Sequence, residues 1–317
     1  PSQIPRGKHQ KGKATFKAIY KTMRRAILLV CFFCSIQGWT QMETEVYLFD
    51  LDFSNGKPVL SNPKNISNNP GYDNQPSFWD DDHVLFASTR DEQTDVIQFN
   101  VSEGSTSSWL TYTTTGSEYS PLRVPGKRAI SAIRLDVDGL QRLYEYDLKN
   151  STSEPLSELK IGYHVWFDKE VLVATVLVQN RMDLVVIDLE EDTHTTVFQN
   201  VGRSLHRISG SDLVSFISKK NSVWEIRSLD PATGNTQKIA NTYGQEEDIS
   251  WLDGHTIITG SGKRLLTLHT NAEDADWETV MAFGLEEINN ISRIAISPNG
   301  KRLAFVAEES PAKIIQK

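Results

Sequence analysis

Six polar residues recur along the chain, each directly before a short apolar run: Gln75, Ser120, His164, His206, Asp248 and Arg293, at intervals of 45, 44, 42, 42 and 45 positions. One residue earlier stand Asn74, Tyr119, Tyr163, Leu205, Glu247 and Ser292, with Asp73, Glu118, Arg203 and Glu246 close by. Imidazoles with carboxylate or amide oxygen suit a divalent transition metal, and carboxylate-rich sets suit calcium. His164, His206, Gln75 and Asp248 form the candidate metal set. An arginine such as Arg293 can instead hold a carboxylate ligand through two parallel hydrogen bonds, or offset an acidic rim. All of this requires that distant segments bring their first residues to one place.

The spacing says how. Each polar residue precedes the first strand of a repeat, in segments opening at Pro76, Pro121, Val165, Arg207, Ile249 and Ile294. A short apolar strand A is followed by a turn rich in Asp, Gly, Pro or Asn, such as Pro125-Gly126-Lys127 or Asp253-Gly254, and then an apolar strand B. Strand C alternates by twos, as in Arg142-Leu143-Tyr144-Glu145-Tyr146-Asp147 and Leu184-Val185-Val186-Ile187-Asp188. Strand D is the weakest, typified by Thr236-Gln237-Lys238-Ile239-Ala240, as befits an exposed outer edge. A period in the low forties with four strands per unit predicts an all-β fold, a six-bladed β-propeller of WD-like repeats.

The sixth copy stops after strand B. Its missing half lies at the other end, where Glu45-Val46-Tyr47-Leu48-Phe49-Asp50 reads as strand C and the segment to Ser67 as strand D. Strands from both termini are therefore expected to close the last blade, in one propeller domain spanning residues 44–317.

With the repeat in view, the chain resembles the TolB-like periplasmic β-propellers, whose blades carry a Ser-Pro-Asp-Gly-Lys turn between strands A and B. It stands nearly intact as Ile296-Ser297-Pro298-Asn299-Gly300-Lys301, before Leu303-Ala304-Phe305-Val306, and in part at residues 124–127 and 251–254. The resemblance covers about residues 44–310. In TolB proper an α/β domain precedes the propeller, whereas here the first strand follows directly on a leader. The resemblance therefore implies a fold and no role in the Tol system, because the signature specifies a turn and a strand.

Residues 23–40 read as a signal peptide: Met23, Arg24-Arg25, an apolar stretch over 26–36, and small residues Gly38 and Thr40 positioned for cleavage before Gln41. Eleven apolar residues fall short of the ~20 that span a bilayer, so no transmembrane span is expected. Leu28-Leu29-Val30-Cys31 is a poor lipoprotein signal, since valine is bulky before the modified cysteine. Residues 1–22 read as upstream or disordered sequence. Cys31 and Cys34 both lie in the leader, which excludes disulfides, thiolate metal sites and cysteine nucleophiles from the mature chain.

The full chain of 317 residues has 33 Lys+Arg against 41 Asp+Glu and a net charge of −8. Residues 1–40 hold eight of the basic residues and no acidic one, leaving 25 basic and 41 acidic beyond them. So acidic a domain repels phosphate backbones and anionic lipid, which argues against nucleic acid as a partner. No Gly-x-Ser-x-Gly elbow, phosphate loop or dinucleotide fingerprint occurs. The run Asp80-Asp81-Asp82-His83 falls on an A–B turn and reads as solvated. Trp79, Trp166 and Trp251 read as packing between blades.

Convergent polar groups around a concave mouth make the default binding site. The expectation is an exported, periplasmic or secreted monomer, without an assigned cofactor. It would bind a protein, peptide or small ligand through Asn74, Gln75, Glu118, Tyr119, Tyr163, His164, His206, Glu247, Asp248 and Arg293. The alternative is a metal-dependent enzyme, lyase or lactonase-like, using His164, His206, Gln75 and Asp248. A mouth that is simply wet would be polar without any ligand.

Overall fold

A computed structural model describes residues 43–286 and 288–308. Leader, cysteines and upstream segment lie outside the described residues. Valine, isoleucine and aromatic residues at alternate positions favour extended chain, and the described residues form six antiparallel four-stranded sheets with no helix. Each sheet is one blade: residues 73–109, 116–155, 161–199, 201–241 and 249–282 make blades 1 to 5. Among the described residues no helix is long and apolar enough to cross a membrane.

Blade 6 joins both ends of the chain, as the half-repeats predict. Asn289–Ile296 and Arg302–Glu308 supply its inner strands, Thr44–Ser54 and Lys57–Asn65 its outer ones. Thr44–Ser54 pairs antiparallel with Arg302–Glu308, from Thr44 opposite Glu308 to Asp50 opposite Arg302. Polar contacts at the A–B hairpin end help to close the ring toward blade 1: Asn299 N donates to Asp81 Oδ1 at 2.9 Å, and Arg302 Nη1 donates to Asp81 O.

The core lies in the seams. One cluster joins Leu85 and Val96 of blade 1 to Ile130 and Tyr146 of blade 2. The next joins Val124 and Leu143 to Ile161, Trp166 and Leu172. Both faces of a blade are thus buried, so its inner strands are apolar at nearly every position, as in Leu172-Val173-Ala174. Trp166 and Trp251 are buried in seams, and Trp79 packs against the cluster between blades 1 and 2. Blade 5 approaches blade 6 so closely at Gly260 that a Cβ there would lie 2.5 Å from Ile291 O. Seams of this kind hold the six A strands in a ring, with their first residues at one end.

Candidate functional site: the narrow mouth of the channel

Each A–B hairpin is closed by one backbone hydrogen bond, donated by Trp79, Val124, Phe167, Ile208, Leu252 or Ser297. Counting back four residues from each donor gives the true first layer: Gln75, Ser120, Tyr163, Ser204, Asp248 and Arg293. All six line one cavity of about 110 Å³. The next layer, Pro76, Pro121, His164, Leu205, Ile249 and Ile294, lines it too and forms an apolar collar broken only by His164. Beyond the collar the channel opens, at the A–B hairpin end, into a wider vestibule of about 880 Å³ lined by Pro125, Gly210, Asp253 and Pro298 among others.

The equivalence of His164 and His206 expected from sequence does not hold. His164 pairs with Ala174 in the second layer; His206 pairs with Ser215 one layer deeper. Their places in the first layer belong to Tyr163 and Ser204. Three first-layer residues, Gln75, Ser120 and Arg293, have φ of 56°, 52° and 52°, a left-handed conformation that costs a non-glycine residue energy. At each of them the ladder slips, between Asn74 and Ser77, Tyr119 and Leu122, and Ser292 and Ala295. A bulge re-aims a side chain, and here the three bulged residues all line the cavity.

Charge is concentrated between blades 4, 5 and 6. Arg203 donates to Asp248 from Nε at 2.9 Å and from Nη2 at 2.5 Å. Arg293 Nη1 stands 3.9 Å from the same carboxylate, its Nη2 lies 3.3 Å from the Tyr163 hydroxyl, and its guanidinium sits 5.1 Å from that ring's centre. Burial alone would raise the Asp248 carboxyl. The hydrogen bond from Arg203 and the charges of Arg293 and Arg203 outweigh it and hold the group below the usual carboxylate range. Glu247 bridges Lys219 at 2.7 Å and Arg203 at 3.6 Å.

Both histidines are neutral. Burial pushes His164 down to about 3, and His206 to about 4 despite the opposing charge of Asp248. His164 Nε2 lies 2.7 Å from Ser131 Oγ, and His206 Nε2 lies 3.1 Å from Ser204 Oγ. The proposed metal set does not fit an ion. Asp248 is taken by arginine, Gln75 Oε1 accepts from Ser120 N at 2.7 Å, and no three His, Cys, Asp or Glu side chains among the described residues are grouped to hold a metal.

Of the remaining expected site residues, Gln75, Tyr163, Asp248 and Arg293 line the cavity, whereas Asn74, Glu118, Tyr119 and Glu247 do not. Asn74 is buried and reaches Thr44 Oγ1 at 3.3 Å. Glu118 is 0% exposed between blades 1 and 2, accepting from the Tyr146 hydroxyl at 2.9 Å. Tyr119 meets Tyr72 edge-on, ring centres 6.1 Å apart. The two-residue strand period sends Glu118 to the seam while Ser120, at its bulge, lines the channel. Arg203 and Ser204 were missed as site residues, because counting back from the apolar run rather than from the hairpin hydrogen bond places His206 where Ser204 stands.

No family model matches the sequence, and no curated protein matches it. Solved structures do. TolB from Acinetobacter baumannii aligns at 13% identity over 88% of this chain and 67% of that one, with a TM-score of 0.54. A protein assigned as TolB from Agrobacterium tumefaciens aligns at 12% identity over 85% and 99%, TM-score 0.62. A chain of the nidogen/laminin complex aligns at 11% over 83% and 98%, TM-score 0.57. The chain is thus a six-bladed β-propeller of the shape shared by TolB and related propellers, and at these identities the likeness concerns the fold alone.

Proposed function

We propose that the protein is an exported, monomeric binding module, periplasmic or secreted, that captures a protein or peptide partner at the narrow mouth and performs no chemistry. The observation that carries this is the distribution of exposed apolar residues. D–A connections and B–C hairpins share the face on which the A strands begin. Of the nine large hydrophobics exposed among the described residues, seven lie on that face: Tyr112, Leu135, Val137, Leu140, Val178, Val223 and Leu285. Three of them crowd one hairpin of blade 2, where Val137 is 87% exposed. Exposed apolar surface rimmed by polar groups marks interaction sites. A small ligand confined to the channel would make no use of it.

The test is crosslinking capture from the cellular fraction that holds the protein, comparing the native chain with Val137→Asp, Leu140→Asp and Tyr163→Ala. The same crosslinked partner should be lost in all three while melting temperature is retained. Capture unchanged in all three would overturn the reading. Export is supported by the leader at residues 23–40; intact-mass analysis should find a chain beginning at or within a couple of residues of Gln41, and an acylated Cys31 or Cys34 would refute it.

A further inference from the structure

We propose that the narrow mouth takes a carboxylate, presented by an acidic side chain or chain end of the partner, with Arg293 as its principal anchor. This rests on the reading above and names the chemistry of the group that enters. The cavity wall is short of acceptors. Asp248 accepts two hydrogen bonds from Arg203, and Gln75 Oε1 is taken by Ser120 N. Ser204 Oγ lies within hydrogen-bond distance of both Ile249 N and Ile249 O, at 3.3 and 3.2 Å.

Donors, by contrast, are left over. Arg293 Nη1, at 3.9 Å from Asp248, is beyond hydrogen-bond distance, and among the described residues the side chain makes one hydrogen bond, the long one to Tyr163 at 3.3 Å. Ser120 Oγ and His164 Nδ1 find no hydrogen-bond partner among the described residues. Ser131 Oγ accepts the Trp166 indole N–H at 2.8 Å and lies 2.7 Å from His164 Nε2, so the ring makes its polar contact through Nε2 and not through Nδ1.

Charge agrees. Arg203 and Arg293 line the cavity against the single carboxylate of Asp248, and both histidines there are neutral, so one positive charge is uncompensated. A guanidinium half-enclosed by apolar collar and aromatic ring is a carboxylate receptor, because fork and carboxylate match in geometry and the low-dielectric wall strengthens the pairing. A neutral amide could use the donors but would leave that charge uncompensated.

Glutarate and glutaramide, equal in length and different in charge, are the probes. At low ionic strength, titration followed by amide NMR or tyrosine fluorescence should show saturable binding of glutarate that weakens with added salt, and at least about tenfold weaker binding of glutaramide. Arg293→Gln should abolish glutarate binding, and Tyr163→Phe, which keeps the ring, should weaken it; Lys219→Gln should leave it intact. Equal binding of both probes, or saturable binding of neither, would overturn the proposal. If glutarate fails to bind while Val137→Asp still abolishes partner capture, the carboxylate assignment falls and the docking reading stands.

Discussion

Arg203 of blade 4 clasps Asp248 of blade 5 with two parallel hydrogen bonds, 2.9 and 2.5 Å long, across the seam at the channel mouth. Blade 5 has a very short first strand, Ile249–Trp251, with only three residues in its ladder. Side chains compensate. The clasp and the contact of Ser204 Oγ with both backbone groups of Ile249 tie this strand to blade 4 where its own ladder cannot. The same arginine is thereby fixed in the cavity wall, so one contact serves both seam and site.

Asp248→Asn should expose that double role. It leaves Arg203 with only the more distant Glu247 carboxylate, at 3.6 Å and shared with Lys219, and takes from Arg293 its nearest counter-charge, and unpairing a buried ion costs several kcal/mol. Arg203 is 31% exposed, so solvent screening lowers the expected loss to about 2 kcal/mol. Urea denaturation measures it. The double variant Asp248→Asn with Arg203→Gln should recover part of the loss, and a double loss equal to the sum of the two single losses would mean that the charges are uncoupled.

A second pair of positions gives an internal comparison. Ser131 and Ser215 each accept an indole hydrogen bond from the tryptophan of the next blade, Trp166 at 2.8 Å and Trp251 at 2.9 Å. Ser131 alone also serves a histidine ring, that of His164. Ser131→Ala therefore strands two buried groups and Ser215→Ala one. At about 1–3 kcal/mol for a buried group left without a partner, Ser131→Ala should be the more destabilising by about 1–2 kcal/mol in denaturant titrations. Losses of the same size would show that the His164 contact contributes nothing.

The blades could be read from sequence because turn residues and period-two strands are local signals. Val185 and Ile187 announce a strand whatever surrounds them, and Pro298-Asn299-Gly300 announces a turn. Closure of blade 6 was legible for the same reason, since two half-repeats had to find each other. The layers of the channel were less so. A–B turns hold three residues in some blades, as between Trp79 and His83, and four in others, as between Val124 and Ala129. An alignment on apolar runs then slips by one or two places, which put His206 beside His164. The bulges at Gln75, Ser120 and Arg293 carry no sequence mark, because their αL backbone is imposed by the ring and not by a glycine. Glu118 was misplaced for the opposite reason: a charged residue near a polar ring reads as part of it, and only the strand's facing sends it to the seam.

Glu118 makes a pH prediction. Burial, with the Asp95 carboxyl beside it, pushes Glu118 up to about 7, against the pull of its hydrogen bonds from Thr113 and Tyr146. The folded protein then holds a proton that the unfolded chain releases near the ordinary value of 4.5. The stability this gives is complete below that value and is lost as pH rises through about 7, up to roughly 3 kcal/mol at about 1.4 kcal/mol per unit. His164 and His206 act in the opposite sense. Their folded values lie below 6.5, so the stability they give is present above it and lost as pH falls toward 4 and 3. Comparison with Glu118→Gln isolates the carboxyl. The stability difference between native and variant chains should shift against the native chain from pH 4.5 to 7.5 and then level off. A difference independent of pH over that window would place an ordinary carboxylate at the seam.

The final prediction concerns closure. Successive residues of Thr44–Ser54 face opposite seams: Val46 and Leu48 pack with Phe86 and Phe99 of blade 1, while Tyr47, Phe49 and Leu51 pack with Leu265 and Ile291 on the blade 5 side. One strand thus welds blade 6 to both neighbours and covers the edge of Arg302–Glu308, which would otherwise be free to pair with another chain. Deleting residues 44–52 should yield aggregated protein or a large fall in melting temperature. Two point variants separate the seams. Phe49→Ala removes a ring stacked on Phe305 at 5.1 Å between centres, and Val46→Ala touches the other side. Phe49→Ala should cost about 3–5 kcal/mol, as expected for a buried phenylalanine, and Val46→Ala less in proportion to its volume. Hydrogen exchange should then show each loosening its own seam first. A soluble deletion variant with an unchanged melting temperature would refute closure by both termini.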